Sequence, residues 1–336
     1  MTHETPAAAQ DLRRLGGGRR IDVHQHVILP EYEKALQRSG ALDPSRPPRK
    51  KSEPAQVLEH MAALGIDAAL LNPVNTLGVH HGDDANSCYL TETTNEALAK
   101  FVSAAPQNLG FFAILPVPDV DGALRQTAYA LDVLHADGLF LFSNQNGVYL
   151  GDARLEPLYA ELDRRGAAVF VHPASPAYVP ALDMKLFAAC IEYPFETTRA
   201  AANLIYNGFM GKYPNIKWIL AHGGGTVPYL SYRMRLMEHD DREQPLFNVR
   251  VPEGVTPYLD RFYYDLAVTA GAVALAALNG TANPDRILYG TDIPFIGKQQ
   301  LGEQLADMSA FPQWNGAQLA AVERGNAARL FPRFKS

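Results

Sequence analysis

Eight short apolar runs, separated by longer amphipathic stretches, constrain the fold of this chain more than any other feature. They fall at residues 21–26, 68–74, 109–116, 138–144, 167–172, 216–222, 261–267 and 287–291. Runs such as LGFFAILP and GLFLFSN show no polar-out alternation, which is the pattern of strands buried on both faces of a parallel sheet. Between them lie helical patterns, among them EPAQVLEHMAALG, TNEALAKFVSAA, DGALRQTAYALDVLHAD, LEPLYAELDRRG and TTRAAANLIYNGFMGKYP, and several of these stop at Gly or Pro. Eight strand–helix units predict an α/β fold of the (β/α)8 TIM-barrel type, a single domain with inserted loops over residues 21–336. A doubly wound open sheet is the structural rival. It lacks support from a phosphate fingerprint, because HGGGT at 222–226 does not have the G-x-G-x-x-G spacing. Its glycines read instead as room for a tight turn.

Four of the runs end in groups that bind metals. His24 and His26 close the first, in IDVHQH; His172 closes the fifth, in VFVHP; His222 closes the sixth, in ILAHGGG; and Asp292 follows the eighth, in ILYGTD. Residues two apart on a strand share a face, so His24 and His26 can point to one place. An H-x-H pair alone is a weak signal. Its recurrence at the carboxyl ends of strands, where barrel enzymes build their sites, strengthens it. Imidazole and carboxylate suit zinc or a similar divalent ion, and a catalytic site needs about three protein ligands with one position left open. A closed structural zinc site would use four short-spaced Cys/His ligands, whereas these residues are spread over most of the chain.

Composition narrows the partners. Of 336 residues, 47% are hydrophobic and 20% charged, and a net charge of −6 argues against a broad nucleic-acid-binding surface. Only Cys88 and Cys190 are present, which gives no disulfide framework and suits a reducing cytoplasm. Residues 1–20 have no continuous apolar stretch and read as a flexible lead-in rather than a signal peptide. No run of about 18 apolar residues predicts a membrane span. The Pro- and Lys/Arg-rich stretch at 39–54 reads as an irregular insertion that either lies over the active site or, the favoured reading, is solvated.

The motifs IDVHQH, VFVHP, LAHGGG and YGTDIPF together resemble the amidohydrolase superfamily, in the branch related to aminocarboxymuconate-semialdehyde decarboxylase. YPFETTRAAANLIYNG, FFAILPVPDVDGAL and GNAARLF resemble the same branch, and the likeness runs from about residue 21 onward. Within it, the run from LGFFAILPVPDV to VFVHPASP is most similar to 6-methylsalicylate decarboxylases. The resemblance implies that His24, His26, His172 and Asp292 hold one metal ion and that His222 is an acid/base beside it. Other branches hold two metals bridged by a carboxylated lysine on the fourth strand. No lysine occurs between Phe101 and Met184, so a mononuclear site is expected. Some relatives carry glutamate in place of the first histidine and favour manganese; His24 tilts the expectation to zinc, with manganese as the alternative. A homodimer is implied as well.

Decarboxylation of an ortho-hydroxybenzoate is easiest when the ring carbon is protonated first, because the ring then passes through a ketone-like tautomer that sheds CO₂. A divalent ion gripping the hydroxyl and carboxylate oxygens would orient the acid and stabilise phenolate charge. Asp292 is expected to protonate the carbon with His222 as its partner, although these two roles can be exchanged on the sequence alone. Hydrolysis or hydration by metal-bound water uses the same ligands and is the competing reading. A non-enzymatic barrel with its histidines satisfied in a polar core is the third.

Of the other candidates, Asp22 is expected to face away from the centre and hold the strand, and Asp265 to support a histidine from behind. Asn75, Thr76, Asn144, segment 174–194, Phe195 and Phe295 are eligible substrate contacts, with packing favoured for both phenylalanines. His80 and His81 read as an exposed loop, with a substrate role as the alternative. His60 and His135 read as surface or interfacial positions, and His3 and His239 have no site context.

Overall fold

The strands in a computed structural model of the chain follow the apolar runs. Residues 19–42, 45, 47, 49–73, 83–176, 178–179, 186–240 and 244–335 are described. The strands are β1 (Arg20–Val27), β2 (Ile66–Pro73), β3 (Leu109–Ile114), β4 (Gly138–Phe142), β5 (Ala168–His172), β6 (Lys217–Leu220), β7 (Tyr263–Asp265) and β8 (Ile287–Leu288). They hydrogen-bond in chain order and every neighbouring pair is parallel. The ring closes beyond β8: Val23 N donates to Tyr289 O at 3.0 Å, Asp292 N to His24 O at 2.8 Å and His26 N to Ile293 O at 2.7 Å. This closure removes the open-sheet alternative. The predicted strand at 287–291 is shorter than expected because its last residues bond across this seam rather than along a regular ladder.

Both faces of the strands are covered, which is why the runs were continuously apolar. The interior beneath the site is aromatic: Phe112 and Phe140 each stack on Phe170, at centroid distances of 5.3 and 5.8 Å, and His24 meets the Phe170 ring edge-on at 4.9 Å. These rings make a dry floor from which the β1 histidines rise. The predicted helices are present, for example Glu156–Arg165, which stops at left-handed Gly166 (φ 58°). TTRAAANLIY lies in a longer helix, Ala188–Tyr206, that also takes in the preceding YPFE and stops before Asn207.

The lead-in reading ends too late. Arg20 already belongs to β1 and is fully buried, donating from Nε to Glu323 Oε1 at 2.9 Å and from Nη1 to Leu64 O at 2.7 Å. A charge buried with its partner closes the barrel end opposite the histidines, so residue 20 is structural. Residues 1–18, with His3, lie outside the described residues, as do Asn75, Thr76, His80 and His81. His60, His135 and His239 are exposed, in keeping with surface roles. In the insertion at 39–54, Ser52 ties back to the end of β1, its hydroxyl accepting from Ile28 N at 2.9 Å and its N donating to Ile28 O at 3.0 Å.

Candidate metal centre and active site

Three imidazoles and one carboxylate converge at the carboxyl end of the barrel. One ligand atom from each of His24, His26, His172 and Asp292 lies within 4.8 Å of the others. Each of the three histidines has its Nδ1 committed to an acceptor: His24 to Asp265 Oδ2 (2.9 Å), His26 to Pro73 O (3.2 Å) and His172 to Pro173 O (2.9 Å). A ring nitrogen that donates in this way leaves the other nitrogen as a bare lone pair. Three such lone pairs therefore turn toward one another, and the Nε2 atoms of His24 and His26 stand only 3.0 Å apart. Asp292 Oδ1 faces the same point, 3.3 Å from His24 Nε2 and 3.2 Å from His26 Nε2, yet this buried oxygen forms no hydrogen bond. Acceptors crowded together with no donor among them fit a cation, and the donor types suit a divalent metal.

The electrostatics agree. Burial opposes charge on His24, but the flanking carboxylates of Asp265 and Asp292 outweigh it and push its pKa up to about 10. Without an ion His24 therefore takes up a second proton, on Nε2, and a cation bound there would displace it. Burial holds His172 well below the usual imidazole range and lowers His26, so both stay neutral, as ligands must. Burial would raise Asp292, yet the histidine next to it, His24, draws its carboxyl well below the ordinary value, with His222 and His26 acting in the same direction.

His222 differs from the other three. It follows β6 in a tight turn with φ 55°, and its Nδ1 is buried without a partner. Its Nε2 lies 3.6 Å from Asp292 Oδ2, the oxygen turned away from the β1 histidines. Asp292 thus presents one oxygen to the imidazole cluster and the other to His222. Both residues hold left-handed backbone, Asp292 with φ 64°, a conformation that is costly outside glycine and collects at functional sites. The three glycines after His222 give its turn room as expected: Gly225 has φ 64°, and a Cβ there would overlap the Pro194 carbonyl oxygen.

Asp265 is where the sequence placed it, behind a histidine, and it also reaches a second. Fully buried at the end of β7, it accepts from His24 Nδ1 through Oδ2 and from the backbone N–H groups of His222 (3.1 Å) and Ala267 (2.9 Å) through Oδ1. One carboxylate thereby orients an imidazole of the cluster and anchors the turn carrying His222. Asp22 binds the seam: its Oδ1 accepts from His24 N and Thr291 N, and its Oδ2 from Thr291 Oγ1 at 2.6 Å. Burial raises its pKa to about 6.

A cavity of about 900 Å³ opens over this cluster. His172, His222 and Asp292 form its polar end; Phe187, Val268, Val273, Phe295 and Ile296 supply apolar walls. Phe295 was expected to pack, and the structure corrects this: it is 48% exposed, lines the cavity and stands edge-on to His26 at 5.2 Å. Phe195 does not line it. Asn144 is committed elsewhere, its Nδ2 donating to buried Glu196 at 2.6 Å. Segment 174–194 contributes Phe187, Ala189, Cys190, Tyr193 and Pro194. Sequence reading missed Val268, Thr269 and Gln300, whose only signal was their place after the seventh and eighth runs. It also missed Asn72, fully buried on β2 opposite His26, whose amide has no hydrogen-bond partner. A polar residue inside the run AALLNP was its signal.

Comparison with known proteins gives a consistent picture. The Amidohydrolase family profile matches residues 21–333. The chain is 36% identical to a decarboxylase, macB, of Penicillium terrestre, over 94% of this chain and 96% of that protein. It is 33% identical to the 6-methylsalicylic acid decarboxylase of Penicillium expansum, over 94% and 97%. Among solved structures, a dihydroxybenzoic acid decarboxylase from Polaromonas sp. JS666, with bound manganese and the inhibitor 2-nitroresorcinol, superposes with a TM-score of 0.81 at 20% identity, over 95% of this chain and 98% of that one.

Proposed function

This chain belongs to the amidohydrolase family, and from that premise we propose that it is a metal-dependent, non-oxidative decarboxylase of a small ortho-hydroxylated aromatic acid, 6-methylsalicylate being the first candidate. The observation that carries the reading is the division of Asp292. One of its oxygens is turned to the imidazole cluster, and the other is turned to His222 at the polar end of a cavity wide enough for an aromatic ring. The relatives similar over nearly their whole length support decarboxylation over hydrolysis.

His24, His26, His172 and Asp292 would hold the ion. The three-imidazole, one-carboxylate set favours zinc, with manganese as the alternative. When bound, the ion supplies Lewis-acid stabilisation of phenolate charge and a template for the hydroxyl and carboxylate oxygens. The protein's own part is proton delivery. Asp292, held ionised in the resting site, carries a proton only in passing: its Oδ2 relays one from His222 to the ring carbon that bears the carboxylate. The bond from that carbon to CO₂ then breaks, its electron pair returns to the ring, and the phenol is restored. His222, 3.6 Å from the same oxygen, is the source of that proton. General acid/base assistance of this kind contributes roughly 10²–10⁴ in rate. The aromatic floor beneath His24 excludes water from the back of the site.

A cytoplasmic homodimer is the proposed setting, supported by the free thiols of Cys88 and Cys190 and by exposed Tyr229 and Tyr232 on the helix Val227–Leu236. No described helix is long and apolar enough to cross a membrane. The test is to mix purified protein of measured metal content with 6-methylsalicylate and other ortho-hydroxybenzoates and to follow CO₂ and products by mass spectrometry. Metal-dependent loss of CO₂ supports the reading. Metal-loaded protein that decarboxylates none of these acids refutes it.

A further inference from the structure

We propose that the cavity over the metal-ligand cluster takes a hydroxybenzoate carrying an apolar substituent larger than methyl, such as an alkyl chain of several carbons. This rests on the decarboxylase reading above and deepens it.

The cavity is too large for a bare salicylate. Ligand sites of roughly 300–1,000 Å³ suit drug-sized molecules, and at about 900 Å³ this one lies near the top of that range. Its chemistry is divided along its length. His172, His222 and Asp292 gather at one end, where the carboxylate and ortho-hydroxyl of the acid must be read. The rest is walled mainly by Phe187, Val268, Ala272, Val273, Phe295 and Ile296, with Tyr193, Thr269 and Gln300 as uncharged polar members, and no Lys or Arg occurs among the described residues that line it. A second charged group on the ring would lose water there without a charged partner.

Several of these walls leave apolar surface open. Val273 is 87% exposed, Phe187 76% and Val268 57%. They come from two elements, the segment ahead of the helix Ala188–Tyr206 and the stretch that runs from just after β7 into the helix Ala272–Asn279. Apolar side chains concentrated at one cavity mark a site for an apolar ligand. An alkyl tail leaving the ring on the side away from the cluster would cover them.

A homologous series of 6-alkylsalicylates, from methyl through propyl to pentyl, tests this, with 2,6-dihydroxybenzoate as the polar comparison. Burial of one methylene is worth about 0.8 kcal/mol, or about fourfold. The expected result is a rise in kcat/KM of about fourfold per added carbon until the chain leaves the cavity, carried mainly by a falling KM because the tail is remote from the reacting carbon. The dihydroxy acid should be the poorest substrate. Ala272→Phe should reverse the preference, lowering the pentyl-to-methyl ratio below one. If the methyl compound is turned over while kcat/KM stays flat or falls with length, the inference is overturned and the decarboxylase reading stands. If no acid loses CO₂, the decarboxylase reading itself has failed, and the inference goes with it. The wild-type series decides the matter even if the Phe variant does not fold.

Discussion

Replacing Asp265 by asparagine isolates one hydrogen bond in the candidate metal site. Asparagine has the shape of aspartate, so its oxygen can keep the two backbone bonds that Oδ1 accepts from His222 and Ala267. The amide nitrogen then stands where Oδ2 was, 2.9 Å from His24 Nδ1, and it donates where the carboxylate accepted. His24 must give up its Nδ1 proton, and the neutral ring places that proton on Nε2, directed at His26 Nε2 3.0 Å away. A protonated Nε2 cannot bind a metal. Loss of such supporting partners typically lowers metal affinity by about 10–100-fold, which is about 1.4–2.7 kcal/mol. Competition with a chromogenic chelator measures this directly. The melting temperature of the metal-free protein should stay near that of the wild type, because the backbone anchors survive. In Asp265→Ala the N–H groups of His222 and Ala267 lose their acceptor, at about 1–3 kcal/mol for the buried one, so the metal-free protein should also melt earlier. If Asp265→Asn bound metal as tightly as the wild type, the carboxylate would not be setting the tautomer of His24.

His222→Ala should retain wild-type metal content while turnover falls by roughly 10²–10⁴, measured by elemental analysis and a CO₂ assay on the same sample; full activity would remove His222 from proton transfer. His24→Ala and Asp292→Ala should lose metal and activity together, and either variant with a full complement of metal would contradict the four-residue ligand set. Dialysis against a chelator should lower the melting temperature, and metal at about 100 times its Kd should restore about 2.7 kcal/mol of stability, because ions held by β1, β5 and the β8 seam bind only the folded chain. A melting curve indifferent to metal would argue against that linkage. Arg20→Ala should destabilise the fold by about 3–5 kcal/mol in urea unfolding, because Glu323 stays buried after its cation is removed; a loss below about 1 kcal/mol would mean the pair is dispensable.

Much of this site was legible in the sequence, for definable reasons. Barrel strands are buried on both faces, so they appear as unbroken apolar runs, and all eight were found within a few residues of their places. Ligand chemistry is equally local: the two-residue spacing of His24 and His26 needs only strand alternation to bring them together. The resemblance of the motifs carried the assignment further than spacing could, and the shared family profile agrees with it. Phe295 was misjudged because an aromatic in a short motif looks the same whether it packs or lines a cavity; what distinguishes the two is the surface it faces.

The amino-acid sequence by itself determined the order of strands and helices, the identity of the candidate metal donors and the strand ends on which they stand. Only the tertiary structure decided how those donors are used. The pairing of Asp265 with His24 joins residues 241 apart, and the closure of the ring sets Asp292 against β1 across more than 260 residues. The left-handed backbone of His222 and Asp292, the split of the Asp292 carboxylate between two partners and the apolar walls of the cavity arise from the same long-range packing. Local patterns record which face of an element is buried. Which group that face meets is fixed only when the sheet closes on itself, because side chains from different strands share one interior only in the folded barrel.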